Sequence, residues 1–369
     1  MTIGAPKEIK PQEGRVALLP DHVRELTETG QTVLVEAGAG RLSGAADADY
    51  AAAGAQVLED AAAVWAGADF IVKVKEILPA EYGFLRPDHL ILTNLHTAAN
   101  REETDRLLEA GLTAIAAEDT HRFGSPNCAL AGEIGAFEGI RLCLAPHGGA
   151  GRHFFGHFGS RPIRALVLGL GNVGRGALRT LLGLGCETVG FDLVWGARYR
   201  AEQDHPTPLF RTAEIEALSE HLAEADLIVN CVLWPKHRDD HLITREMLMG
   251  LRPGAVICDI ACDEAGAIET SRPTSWADPV YEVEGVRHFC VDNIPGAAPV
   301  AASAGYGAAL MRHIRPILAQ GWRAACAQDP WLARGLVCAG GALVHEETAR
   351  VQGRARAALE DVLAAPPLS

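Results

Sequence analysis

Residues 164–193, RALVLGLGNVGRGALRTLLGLGCETVGFDL, restrict the folds open to this chain more than any other segment. An apolar strand runs into a glycine turn, a helical stretch and a second strand. Gly169, Gly171 and Gly174 stand in the spacing G-x-G-x-x-G directly after the first strand. Asp192 ends the second strand, 23 positions beyond Gly169 (192 − 169). The first glycine permits a tight turn, the second lets the backbone approach a ligand, and the third lets helix and strand pack closely. Such a unit belongs to a parallel α/β sheet, because both strands leave the turn in the same direction.

This context makes the glycine run a dinucleotide-binding fingerprint formed by Gly169, Gly171, Asn172, Val173 and Gly174. The unpaired N–H groups and partial positive charge of the helix N-terminus suit a pyrophosphate. A carboxylate at Asp192 accepts hydrogen bonds from the adenosine ribose and repels a 2′-phosphate, so the expected cofactor is NAD, with NADP less favoured. Arg198 and Arg200 lie nearby and weaken that preference. A glycine turn without a ligand is the competing reading, and the strand, helix and acid in register argue against it.

The rest of the chain repeats the alternation of short apolar runs and helical patterns, which indicates α/β architecture throughout. TIGAPKEI, TVLVEAG, FIVKVKE, LILTNL and LTAIAAED read as strands before the fingerprint; DLIVNCVL, GAVICDIA and HFCVDN follow it. The expected fold is two doubly wound domains, with a Rossmann dinucleotide-binding domain (129–297) inserted in a Rossmann-like catalytic domain (1–128 and 298–369). The segment LAGEIGAFEGIRLCLAPHGG is expected to be a helix crossing between the domains. The Gly-rich run after it, with His147, His153 and His157, is expected to be a loop, and after Pro295 the chain is expected to turn helical over AGYGAALMRHIRPILAQGWRAACAQ.

A chain of 369 residues with 48% hydrophobic and 22% charged residues has a globular composition. Its net charge of −14 argues against a nucleic-acid partner. No apolar run reaches the length of a spanning helix, which argues against a membrane partner. The N-terminus lacks a secretory h-region, and the nine cysteines contain no C-x-x-C, so reduced thiols in the cytoplasm and no metal site are expected.

Substrate chemistry is expected where polar residues interrupt apolar surroundings. Arg15 sits in EGRVALLP, Lys75 in FIVKVKE beside Lys73, and His96 just after LILTNL. Arg and Lys at adjacent strand ends suit a substrate carboxylate. Histidine suits proton transfer near neutral pH. Each also has a plainer reading: Arg15 and Lys75 as solvated surface charges, His96 as a structural histidine. In CDIACDEAGAIET, Asp259, Asp263, Glu264 and Glu269 crowd one strand end, where ligands of open α/β sheets bind. Asn293 follows HFCVD in the same topological place.

Nearly end to end, the chain resembles the alanine dehydrogenase family. PKEIKPQEGRVALLP, VKVKE, LHTAAN, TAIAAED, VDNIPGAAP and GWRAACAQDPWLARGL carry the resemblance. It implies that Arg15 and Lys75 hold the substrate carboxylate and carbonyl oxygen, and that His96 is the general acid/base. It further implies that Asp263 orients ammonia and that Asn293 positions nicotinamide and substrate. A homo-oligomer, dimer or hexamer, of two-domain subunits that close over the cofactor is implied as well. The implied activity is NAD-dependent reductive amination of a small 2-oxo acid such as pyruvate.

The sequence also departs from that pattern. Asn94 stands where relatives carry an aromatic, Glu264-Ala265-Gly266 where they carry Gln-Gly-Gly, and Val300 where many carry Arg. VLWPKHRDDHLITREML is similar to N5-(carboxyethyl)ornithine synthases, so an opine-type reductase joining pyruvate to ornithine or lysine stands beside the leading reading. A non-catalytic NAD(H)-binding module is the third.

Overall fold

The computed structural model describes residues 1–121, 125–235, 238, 240–262 and 266–365. Two compact units emerge: Met1–Pro126 with Gly296–Ser369, and Asn127–Pro295.

The first unit is built on an eight-stranded sheet. Its strands are β1 (Thr2–Ala5), β2 (Thr32–Glu36), β3 (Gln56–Leu58), β4 (Phe70–Val72), β5 (Leu90–Thr93) and β6 (Thr113–Ala116), with two more near the C-terminus. The six run parallel in the order β6-β5-β4-β1-β2-β3. Phe70, Ile71, Val72, Leu90, Ile91 and Leu92 are all buried. Continuous apolar strands of this kind fit a sheet covered on both faces.

The second sheet uses β7 (Arg164–Leu168), β8 (Glu187–Phe191), β9 (Phe210–Ala213), β10 (Leu227–Asn230), β11 (Val256–Asp259), β12 (Val280–Val283) and β13 (Val286–Phe289). Their order is β12-β13-β11-β10-β7-β8-β9, parallel except for β12 at one edge. Back in the first unit, β14 (Leu336–Ala339) pairs antiparallel with β6, and β15 (Ala342–Leu343) antiparallel with β14.

The α/β reading therefore holds for both units, with antiparallel strands added at the edges. The helical reading of AGYGAALMRHIRPILAQGWRAACAQ holds, in the helices Pro299–Gln320 and Trp322–Gln328. A long helix, Pro299–Gln320, packs Tyr306, Leu310, Ile314 and Ile317 into the core with Val23 and Leu26 before the chain returns to the sheet. The Ala-rich stretch 45–68 holds two short helices, Asp47–Ala52 and Ala61–Gly67, and β3. Alanine gives little hydrophobic periodicity, so these elements left no pattern to read.

The helix expected to cross between domains, Pro126–Leu142, lies almost wholly within the second unit. Its small residues serve close packing there: a Cβ added at Gly132 would stand 1.9 Å from the Val173 carbonyl oxygen. Among the described residues no helix is long and apolar enough to cross a membrane.

Each sheet has one point where strand order reverses. It lies between β1 and β4 in the first unit and between β7 and β10 in the second. The carboxyl ends of strands at such a point leave a crevice for ligands.

Candidate active site

In the second unit the fingerprint lies at the switch point. The β7 strand ends at Leu168, and the helix Asn172–Gly183 begins three residues beyond Gly169, with Gly171 as its N-cap. Gly169 has φ +85° and meets the Cys231 carbonyl beyond β10, where an added Cβ would lie 3.0 Å from the oxygen. Gly174 packs tighter, with an added Cβ 1.9 Å from the Gly169 carbonyl oxygen. Gly171 is exposed, and a Cβ there would meet nothing within 4 Å. Two glycines thus close the turn, while the third keeps backbone open where a phosphate needs it. Asn172 and Val173 form the first helical turn and share this edge.

Asp192 lies just past β8, half-buried. Its Oδ2 accepts from the Leu170 N–H (2.8 Å) and its Oδ1 from the Val194 N–H (2.8 Å), so the acid also stiffens the glycine turn. Arg198 donates to the Asp192 carbonyl (2.6 Å) and to Glu214 (2.9 Å), whereas Arg200 is exposed. The site fits a dinucleotide: exposed backbone at a helix N-terminus, with a carboxylate one strand away.

In the first unit, residues after β1, β4, β5 and β6 gather around the other switch point. Lys73 and Lys75 follow β4, and both are buried. Lys73 Nζ lies between Glu8, 3.5 Å away, and Glu81. Burial works to lower the Lys73 pKa, but Glu8 and Glu81 outweigh it and keep it above its ordinary value. Burial also pushes the Glu8 carboxyl up, against the pull of Lys73 and the Val74 N–H. Glu8 Oε1 accepts from the Val74 N–H (2.6 Å) and the Lys75 N–H (3.3 Å), which anchors the backbone that presents Lys75.

Lys75 Nζ stands 3.5 Å from Glu76. Burial would raise the Glu76 carboxyl, but the Lys75 and Lys10 cations outweigh it and hold it down at about 2. Arg15 is buried too. Its Nε (2.8 Å) and Nη2 (2.6 Å) bind both oxygens of Glu13, fixing the guanidinium plane. Arg15 and Lys75 are therefore not solvated surface charges.

His96 follows β5 with φ +52° and a partly exposed ring. Glu118, beyond β6, accepts from the Leu95 N–H (3.1 Å) and the His96 N–H (2.6 Å), and its Oε1 stands 3.7 Å from His96 Nδ1. Tyr306 ties the cluster together. Its hydroxyl donates to the Lys73 carbonyl (3.1 Å). Burial raises its pKa well above the ordinary value, and the Glu118 and Glu8 charges add to that while Arg15 opposes it. Tyr306 thus feels Arg15 together with Glu8, which holds the Lys75 backbone, and Glu118, which holds that of His96.

Asp263 and Glu264 lie outside the described residues. Among their neighbours, Asp259 is buried on Asn230 Nδ2 (2.7 Å), and burial raises its carboxyl. Glu269 is exposed and accepts from the Arg245 N–H (2.7 Å). Asn293 is buried after β13, its carbonyl accepting from Trp276 (3.0 Å).

Of the loop histidines, His147 meets Arg141 (3.0 Å), and His153 and His157 pack on Phe154 and Phe158. Among the described residues no group of three or more His, Cys, Asp or Glu is arranged to hold a metal ion. Asn94, at the departure after β5, is buried with its Nδ2 on the Val74 carbonyl (2.6 Å).

Glu8, Glu13, Glu76 and Glu118 went unnoticed in the sequence. Their only signal was an acid near each strand end.

The chain is similar to known proteins in sequence and in fold. Residues 4–130 match the family model Alanine dehydrogenase/PNT, N-terminal domain, and residues 136–346 match its C-terminal domain. The chain belongs to the alanine dehydrogenase/PNT family. It is 39% identical to the alanine dehydrogenase of Halomonas elongata, covering 96% of this chain and 97% of that one. To the alanine dehydrogenase of Mycolicibacterium smegmatis it is 36% identical, covering 95% and 96%. A solved L-alanine dehydrogenase superposes with a TM-score of 0.88 at 38% identity, covering 96% of this chain and 99% of that one. A transhydrogenase from Sinorhizobium meliloti follows at 0.75 and 26%, covering 94% and 99%. Like its alanine dehydrogenase/PNT relatives, the chain is an oxidoreductase, and the family implies a nicotinamide dinucleotide.

Proposed function

We propose that the protein is an NAD-dependent alanine dehydrogenase, interconverting alanine with pyruvate and ammonia. The observation that carries this reading is that one unit holds buried Arg15, buried Lys75 and partly exposed His96 in segments that follow the strands beside its switch point, in a chain whose relatives act on alanine.

The dinucleotide, when bound, supplies or accepts the hydride. Backbone N–H groups of Gly171, Asn172 and Val173 hold its pyrophosphate, Gly169 and Gly174 shape the turn that presents them, and Asp192 accepts from its ribose. NAD is favoured over NADP, since the Asp192 carboxylate repels a 2′-phosphate and Arg198 is already committed to Glu214.

Arg15 binds the substrate carboxylate, with Glu13 holding its guanidinium in plane. Lys75 donates to the carbonyl oxygen and stabilises the negative charge that grows there as ammonia adds. His96 carries protons to the departing hydroxyl and from the incoming amine. Asp263 orients ammonia, and Asn293 helps place nicotinamide and substrate. The nine free cysteines support a cytoplasmic protein. The family resemblance supports a homo-oligomer, dimer or hexamer.

The test is NADH oxidation with pyruvate and ammonia, set against pyruvate with ornithine or lysine, with product masses measured and NADPH in parallel. Ammonia alone is expected to sustain turnover and to yield alanine. Turnover only with ornithine or lysine would replace this reading with the opine-type one. Tight NADH binding without turnover on any amino or oxo acid would leave only a binding module.

A further inference from the structure

We propose that Glu118 is the positioning residue for His96, a role that rests on reading His96 as the proton carrier. His96 is one of the few non-glycine residues in the left-handed region, at φ +52°. That conformation is strained for a residue with a Cβ, so the surroundings must hold it. Both oxygens of Glu118 do so, each accepting from one of two consecutive backbone N–H groups, at Leu95 and His96. Glu118 belongs to the turn Ala117–Asp119 after β6, and His96 to the loop after β5. The clamp therefore fixes one strand end against the next.

One oxygen serves twice. Glu118 Oε1 accepts from the His96 N–H at 2.6 Å and stands 3.7 Å from Nδ1 of the same residue. The Nδ1 side of the imidazole thus faces a carboxylate. A group that orients the second nitrogen of a catalytic histidine selects its tautomer and its aim.

Glu8 also clamps two consecutive N–H groups, those of Val74 and Lys75, though with one oxygen, and it spends its charge on buried Lys73. Glu118 is a fifth exposed and directs its charge at the histidine.

The decisive variant is Glu118→Gln. It keeps the size, retains one acceptor, sets an NH2 against the second backbone N–H and removes the charge beside the ring. Turnover is expected to fall on the order of 10–100-fold, the usual cost of removing a group that orients a functional histidine and less than the loss of a general acid–base itself, with the KM for NADH little changed. Glu118→Asp should recover part of the loss.

Two readouts separate positioning from damage. If aim is lost, proton transfer becomes rate-limiting and the D2O effect on kcat grows. A partly misfolded preparation lowers kcat and leaves that effect at the wild-type value. In a double-mutant cycle with His96→Ala, followed by single-turnover NADH oxidation, Glu118→Gln should cost almost nothing further, because its effect runs through His96. An unchanged D2O effect, or additive losses, overturns the role of Glu118. A His96→Ala enzyme with near-normal turnover overturns the reading of His96 itself, and the role of Glu118 with it.

Discussion

At the switch point between β7 and β10 the second unit offers a ligand backbone and open space; between β1 and β4 the first unit offers charge. The glycine turn after β7 is made from residues close in sequence, and its exposed Gly171 meets no neighbour. Around β1 and β4, Lys73, Glu8 and Glu81 are buried together. The first device needs little more than one local turn. The second is stable only as a set, because a buried charge without its partner is costly. The two halves should therefore respond differently to the loss of a single residue.

The largest expected effect is on stability. Lys73→Met leaves Glu8 and Glu81 buried without their cation and is expected to destabilise the protein by about 3–5 kcal/mol. Arg175→Met in the second unit removes a comparable pair, but Arg175 and Asp204 are both exposed and the change should stay within about 1 kcal/mol. Urea denaturation of the two variants at pH 7 checks the contrast. The Lys73 deficit should shrink as pH falls, because a protonated carboxyl no longer needs the cation. Equal losses in the two variants would erase the distinction between the units.

The second effect is on binding. Gly171→Val adds side-chain atoms where the folded protein shows no neighbour within 4 Å, so the melting temperature should hold. The same atoms occupy the approach to the pyrophosphate, so the dissociation constant for NADH should rise by about tenfold or more, or roughly 1.4 kcal/mol. Fluorescence titration of NADH measures it. A variant that melts early, or binds NADH as before, would show that Gly171 serves packing and not a ligand.

This contrast also explains what the sequence disclosed. The turn around Gly169 and the acid at Asp192 were legible because strand, spacing and helix lie within thirty residues. Lys75 and His96 were visible as polar interruptions, but their burial and partners were not. Glu8 reaches Val74 across 66 positions and Glu118 reaches His96 across 22, and no local period encodes such pairs. The same limit hid β14 and β15, whose place beyond β6 is set by the sheet edge and not by any pattern in Leu336–Ala339.

The smallest expected effect concerns acid. Burial, with His313, Arg312 and Arg334 adding their charges, pulls the pKa of His121 down from 6.5 to about 4. Burial likewise lowers His22, His89 and His313 in the first unit, against His205 and His288 in the second. Between pH 6.5 and 4 the unfolded chain binds the proton that folded His121 refuses, so its contribution falls as pH falls through that window. Buried Glu8 and Glu103, with raised values, work in the opposite direction, so the net slope of the wild type does not isolate the histidine. Comparison with a variant does. In His121→Gln the melting temperature should fall less between pH 6.5 and 4 than in the wild type, while at pH 8 the proton-linked term vanishes and only the packing difference remains. Parallel curves over the whole range would mean that His121 takes up its proton in the folded protein as readily as in the unfolded one, and that burial in the first unit does not hold it neutral.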